Sequence, residues 1–179
     1  MEQLKTSYQT LEPEDMQQSY KDTCAIKAQQ IILNHKGIFV SEDQLVEEAI
    51  EHGWYSPGGG TCMTDVGKLL ELYGLDVERS LHSSIEDIAE SLIRGQSVIV
   101  AVDSGELWNP SPLEEIEDLL WGPHTDHVVI ARVVAVNPLT GEQEVMLTDT
   151  GTGEVIHFYE MDTFLDAWEH SNYFMLTIL

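Results

Sequence analysis

Four residues spread along this chain, Gln18, Cys24, His127 and Asp149, are of the types a thiol-based acyl-transfer site requires. A cysteine sulfur is a nucleophile, an imidazole takes and returns a proton, a carboxylate fixes the imidazole's tautomer, and a neutral side-chain amide donates to an oxyanion. Cys24 follows Gln18-Ser19-Tyr20-Lys21-Asp22-Thr23, which puts an amide six residues ahead of the sulfur. Free cysteine is also among the most buried residue types, so its surroundings have to decide between nucleophile and packing residue.

The surroundings are those of a helix start. After Cys24, the residues Ala25, Ile26, Ala28, Ile31, Ile32 and Leu33 are apolar, while Lys27, Gln30 and Asn34 share one stripe at helical spacing. Asp22 or Thr23 is placed to cap the start and Gly37 to supply the left-handed stop. Cys24 then falls in the first turn, where unpaired N–H groups and the helix dipole favour a thiolate. Lys21 and Lys27 bracket it and add local positive charge, partly cancelled by Asp22.

Other elements follow from capping and periodicity. Ser41 and Gln44 start a second helix with Leu45, Val46, Ala49 and Ile50 inward, ending at Gly53. A third helix is expected from Thr64 to Gly74, and a fourth from Ser84 to Arg94 with Ile85, Ile88, Ala89, Leu92 and Ile93 inward. Val98 to Val102 reads as a buried strand. From His127 the pattern becomes an antiparallel meander: a strand to Val136, a turn at 137–141, a strand to Asp149, a turn at 150–153 and a strand to Tyr159. A short helix from Asp162 to Trp168 precedes a final strand, Tyr173 to Leu179. Helices first and strands later make an α+β domain, expected over residues 16–179 behind a polar arm at 1–15.

The meander places the base against the carboxylate. A turn centred near Pro138 and Leu139 pairs positions whose numbers sum to about 276 to 278. His127 and Asp149 satisfy that sum, so they lie directly or diagonally opposite on one face, within reach of a hydrogen bond.

Competing chemistry is weaker. His124 and His127 form a His-x-x-His pair beside Asp126, but no regular element fixes both on one side, so a zinc site is disfavoured. Pro57-Gly58-Gly59-Gly60-Thr61 lacks the Gly-Lys-Ser/Thr ending of a phosphate loop and reads as a flexible connection. The other histidines are isolated, Cys62 reads as a packing residue, and no Gly-x-Ser-x-Gly elbow offers a serine nucleophile. An acidic insert carrying a short helix around Pro112 to Leu120 interrupts the pattern before His127.

Composition limits the partners. With 8 basic and 32 acidic residues the formal net charge is -24, which repels a nucleic-acid backbone from most of the surface. No apolar run is long enough for a membrane span or a signal peptide, and two cysteines far apart suit a reducing compartment, so the expected location is cytoplasmic.

The chain order Gln18, Cys24, His127, Asp149 resembles that of papain-like cysteine peptidases. The closest resemblance is to the bacteriocin-processing family that removes double-glycine leader peptides, here in a free-standing form. It rests on Gln18 and Cys24, on His127-Val128-Val129 and on Asp149-Thr150-Gly151, and extends more weakly through Gly74-Leu75, Ile85 to Val102, Phe164 and Trp168. Ala25 stands where the family usually has glycine, and the acidic insert is longer than expected. The resemblance implies a papain-like fold with a helical N-terminal half packed on a C-terminal antiparallel sheet. It implies Cys24 as nucleophile, His127 as base and acid, Asp149 as its orienting partner, Gln18 as oxyanion donor, no cofactor and no metal, and a peptide or protein substrate. The residues themselves leave open an amidase, deamidase or acyl-transfer enzyme with the same site. A non-catalytic peptide-binding module and an acidic inhibitor also remain open, and nothing indicates an oligomeric state.

Overall fold

The computed structural model describes residues 16–108 and 125–179. The arm at 1–15, the insert helix and His124 lie outside the described residues. Helix α1 spans Cys24–His35 and buries every residue from Ala25 to Leu33. Lys27, Gln29 and Gln30 are buried as well, and both glutamine amides find backbone partners: Gln29 Nε2 donates to the Ala25 carbonyl at 2.9 Å and Gln30 Nε2 to that of Val40 at 2.8 Å. Gly37, at φ 82°, ends the run.

Helix α2, Glu42–Glu51, starts as expected, with Ser41 Oγ accepting from the Gln44 N–H. Gln44 does not complete the capping box; its side chain donates instead to Glu48 and Tyr73. The glycine run after α2 is a small hairpin, β1 (Tyr55–Ser56) against β2 (Gly60–Thr61). Its tip is tied down by Asp22, which accepts from the Tyr55 hydroxyl and the Gly58 N–H, so this segment is an anchored turn rather than a loose connection.

The third helix expected from Thr64 is broken in two. A 3-10 turn, Met63–Asp65, is followed by a short α3, Lys68–Leu72. Between them Gly67 sits at φ 95° and gives its N–H to Gln29 Oε1 at 3.0 Å. A left-handed residue cannot continue a right-handed helix, and here the buried amide of α1 holds it in place. Strand β3, Val77–Ser80, carries no apolar alternation and was not legible in sequence; it forms by pairing with the last strand. Helix α4, Ile85–Ile93, has the full Ser84 and Asp87 capping box, though Ile93 at its end is 85 % exposed rather than inward.

The remaining elements are β4 (Ser97–Val102), α5 (Ser104–Trp108), β5 (His127–Val136), β6 (Gln143–Asp149), β7 (Glu154–Glu160), α6 (Met161–Glu169) and β8 (Met175–Ile178). They build a six-stranded sheet, antiparallel throughout, in the order β3-β8-β4-β5-β6-β7. Strand alternation sends Ile99, Ala101, Val128, Ile130, Leu176 and Ile178 to one face, where α1, α2 and α3 pack. Val98, Val100, Val129, Ala131, Val145 and Leu147 go to the other, under Leu107, Phe164 and Trp168 of α5 and α6. The expected α+β arrangement of N-terminal helices on a C-terminal antiparallel sheet is what the protein adopts, with the later helices closing the second face.

Candidate active site

Two element starts meet at one end of the sheet. Cys24 opens α1 and His127 opens β5. By alternation His127 belongs to the face of Val129, whereas α1 lies on the face of Val128 and Ile130. The imidazole and the sulfur approach each other because both stand at this end of the sheet, near enough for Cys24 to help raise the His127 pKa.

Asp149 reaches the same ring from the adjacent strand. Val129 pairs with Asp149 and Ile130 with Thr148, so Asp149 is diagonal to His127, within the register the hairpin length predicts. Its Oδ1 lies 2.7 Å from His127 Nε2. With Nε2 engaged there, Nδ1 is the nitrogen left for Cys24. Asp149 is fully buried and its carboxylate is saturated: Oδ1 also accepts from the Gly151 N–H at 2.8 Å, and Oδ2 accepts from the Trp108 indole N–H at 2.7 Å. Burial alone would raise the Asp149 pKa, but the bonds from His127, Trp108 and Gly151 outweigh it and hold the group below the ordinary carboxylate range. For His127, burial opposes the charge, while bonds to Asp149 and Cys24 and their charges favour it, and the pKa is pushed up to about 10.

Gly151 is a close-approach position. A Cβ there would stand 3.0 Å from the Trp108 ring and 3.1 Å from His127 Cε1. Trp108 packs against the imidazole with ring centroids 5.2 Å apart, covering the His127–Asp149 bond from one side. Sequence reading did not single out Trp108, which stands at the edge of the acidic insert where no periodicity marks a role.

Gln18 approaches from the segment before α1. Its backbone N–H donates to the Thr150 carbonyl at 2.9 Å, and Gln17 Nε2 donates to that of Gly151 at 3.2 Å. The turn after Asp149 is thereby tied to the segment before Cys24. Gln18 Oε1 accepts from Thr150 Oγ1 at 3.4 Å and one Nε2 hydrogen goes to the Tyr20 carbonyl at 2.7 Å, which leaves the second Nε2 hydrogen uncommitted.

Two sequence expectations change here. Neither Asp22 nor Thr23 caps α1, since no side chain accepts from its first turn. Lys27 is buried and lies 3.6 Å from Glu42, so its charge is directed to that carboxylate and not to Cys24. A third expectation fails away from the site: Cys62, expected to be a packing residue, is exposed, and both cysteines are free thiols. Among the described residues no group of three or more His, Cys, Asp or Glu is placed to hold a metal ion; His124, half of the His-x-x-His pair, is outside them.

The chain belongs to the Peptidase_C39-like family, whose model matches residues 3–174. It is therefore a papain-like cysteine peptidase. Among solved structures, a protein from Bacillus anthracis described as a C39-like peptidase aligns with a TM-score of 0.67 at 16% identity, over 92% of each chain. A double glycine motif protease from an AMS/PCAT transporter, solved in complex with its leader peptide, aligns with a TM-score of 0.55 at 12% identity, over 90% of this chain and 88% of that one. Among curated proteins none matches the chain. Among the described residues no helix is long and apolar enough to cross a membrane.

Proposed function

We propose that the protein hydrolyses a peptide or protein amide bond through a Cys24, His127 and Asp149 triad and a thioester acyl-enzyme. The observation that carries this reading is the buried His127 ring, bonded through Nε2 to Asp149, with Nδ1 left for the nearby Cys24. The thiol proton passes to His127, and the sulfur attacks the carbonyl carbon. The resulting oxyanion takes hydrogen bonds from the Cys24 backbone N–H and the uncommitted Nε2 hydrogen of Gln18. Collapse expels the amine, which leaves with the His127 proton, and a thioester remains on Cys24. Water then attacks that thioester as His127 takes its proton, and the acid departs with the thiol restored. The residues supply this chemistry without a cofactor. Two free thiols suit a reducing compartment, which supports cytoplasmic action.

A peptide ending in Gly-Gly joined to a fluorogenic amine is the first substrate to use, because the structural neighbour from the transporter acts at a double glycine motif. Wild-type protein and Cys62→Ala should release the amine, while Cys24→Ala should not. Intact-mass spectrometry after a rapid acid quench should show the acyl group on Cys24. Release by Cys24→Ala at the wild-type rate would refute the assignment. Conversion of a glutamine side chain in a test protein, with no backbone cleavage, would favour the deamidase alternative.

A further inference from the structure

Glu42 lies outside the triad and on a different helix, yet it is the most heavily used carboxylate around the segment that leads into Cys24. It is the first residue of α2, only 5 % exposed, and sits at the positive end of that helix. Both of its oxygens accept from the Ser19 backbone N–H, at 3.0 and 3.1 Å. Oε2 also accepts from Ser19 Oγ at 2.9 Å, and Oε1 accepts from Thr23 Oγ1 at 2.7 Å. Lys27, one turn into α1, supplies the compensating charge at 3.6 Å.

These bonds grip the chain immediately after Gln18 and immediately before Cys24, the two residues that offer oxyanion donors. They also explain why α1 has no cap. Thr23 occupies the N-cap position, where a threonine hydroxyl ordinarily accepts from the first turn, but its hydroxyl is turned away to donate to Glu42. The first-turn N–H groups stay open beside the sulfur.

We infer that Glu42 is a positioning residue for the oxyanion hole: it fixes the spacing between Gln18 and the Cys24 N–H. The inference rests on the hydrolytic reading above. A burial-only role would be met by any well-packed side chain, whereas this one requires an acceptor that takes three donors at once.

The test separates the oxyanion hole from the nucleophile. Iodoacetamide alkylation of Cys24 forms no oxyanion, whereas turnover of the Gly-Gly fluorogenic peptide does, as does capture of a Gly-Gly peptide aldehyde as a hemithioacetal. Glu42→Gln should keep the alkylation rate and KM near wild type, lower kcat by about 100-fold, the usual consequence of a small misplacement at a reacting centre, and weaken the aldehyde. Ser19→Ala removes a single donor from an exposed residue and should shift kcat and aldehyde affinity in the same direction by less. If Glu42→Gln does not fold, Ser19→Ala decides. Unchanged kcat, a loss confined to KM, or alkylation falling in step with kcat would overturn the role. Wild-type protein that neither cleaves the peptide nor captures the aldehyde overturns the hydrolytic reading and this one together. An active wild type with an indifferent Glu42→Gln overturns this one alone.

Discussion

The indole N–H of Trp108 and the imidazole of His127 divide the Asp149 carboxylate between them, one oxygen each, both at 2.7 Å. A carboxylate bonded through one oxygen alone can rotate about its Cβ–Cγ bond and carry the imidazole with it. Bonded through both, and further held by the Gly151 N–H, it is locked in plane.

Trp108→Phe keeps the ring against His127 and removes only the donor. Turnover should fall by about 10-fold while the alkylation rate of Cys24 changes little, since the orienting carboxylate is freed but the sulfur is untouched. The stability loss should stay below about 1.5 kcal/mol, the low end for a bond to a charged group, because Trp108 is 41 % exposed. A kcat equal to wild type would show that the third bond to Asp149 has no part in orienting the ring.

The ionisation of His127 gives the pH dependence. In the proposed mechanism the imidazolium protonates the leaving amine, so activity should decline as pH rises through about 10, where His127 loses its proton. Asp149→Asn removes the charge and should move that alkaline limb downward. Stability follows the same group: a raised folded pKa gives a contribution fully present below the unfolded value of about 6.5 and lost as pH rises toward the folded value. Asp149 is depressed, so its contribution holds above about 3.9 and disappears as pH falls through its lower folded value. Denaturant titrations from acid to pH 10.5, repeated on Asp149→Asn, would read both edges; a wild-type profile without the alkaline decline would contradict the His127 assignment.

Gly67 opens α3 and lies against both α1 and the sheet. A Cβ would stand 2.6 Å from Leu176 Cδ1 and 2.9 Å from Arg79 Nη2, on a backbone at φ 95°. Gly67→Ala therefore combines backbone strain with overpacking and should destabilise by about 2 to 4 kcal/mol, measured by chemical unfolding. A loss under about 1 kcal/mol would mean that the segment relaxes freely, against its bond to Gln29.

The meander, the Cys24 helix and the Val98 to Val102 strand were legible because each is set by local periodicity and punctuation. The register that brings Asp149 to His127 was legible only to within a residue, because the bulge between Ala131 and Val133 moves the pairing by one from what the turn sets and so returns Asp149 to the His127 face. What escaped depends on distant partners. Glycine at 67 signals a stop only once Gln29 is known to face it, and β3 exists only because β8 offers an edge. The missing cap on α1 could not be read from Asp22 and Thr23, because the groups that divert them, Tyr55, Gly58 and Glu42, lie elsewhere in the chain. Trp108 illustrates the same limit, as its partner Asp149 stands 41 residues downstream.

One irregularity in the β5 and β6 hairpin carries an engineering consequence. The pairing shifts by one residue between Ala131 and Val133, and at the shift Arg132 Nε donates across to Thr148 Oγ1 at 2.8 Å. The active-site half of the ladder is thus pinned on the near side of a bulge, while the outer half runs on to a turn whose tip residue, Leu139, is 94 % exposed. Residues grafted into that turn would be absorbed beyond the bulge, which makes the tip a suitable place to insert a reporter or affinity segment without sliding His127 past Asp149.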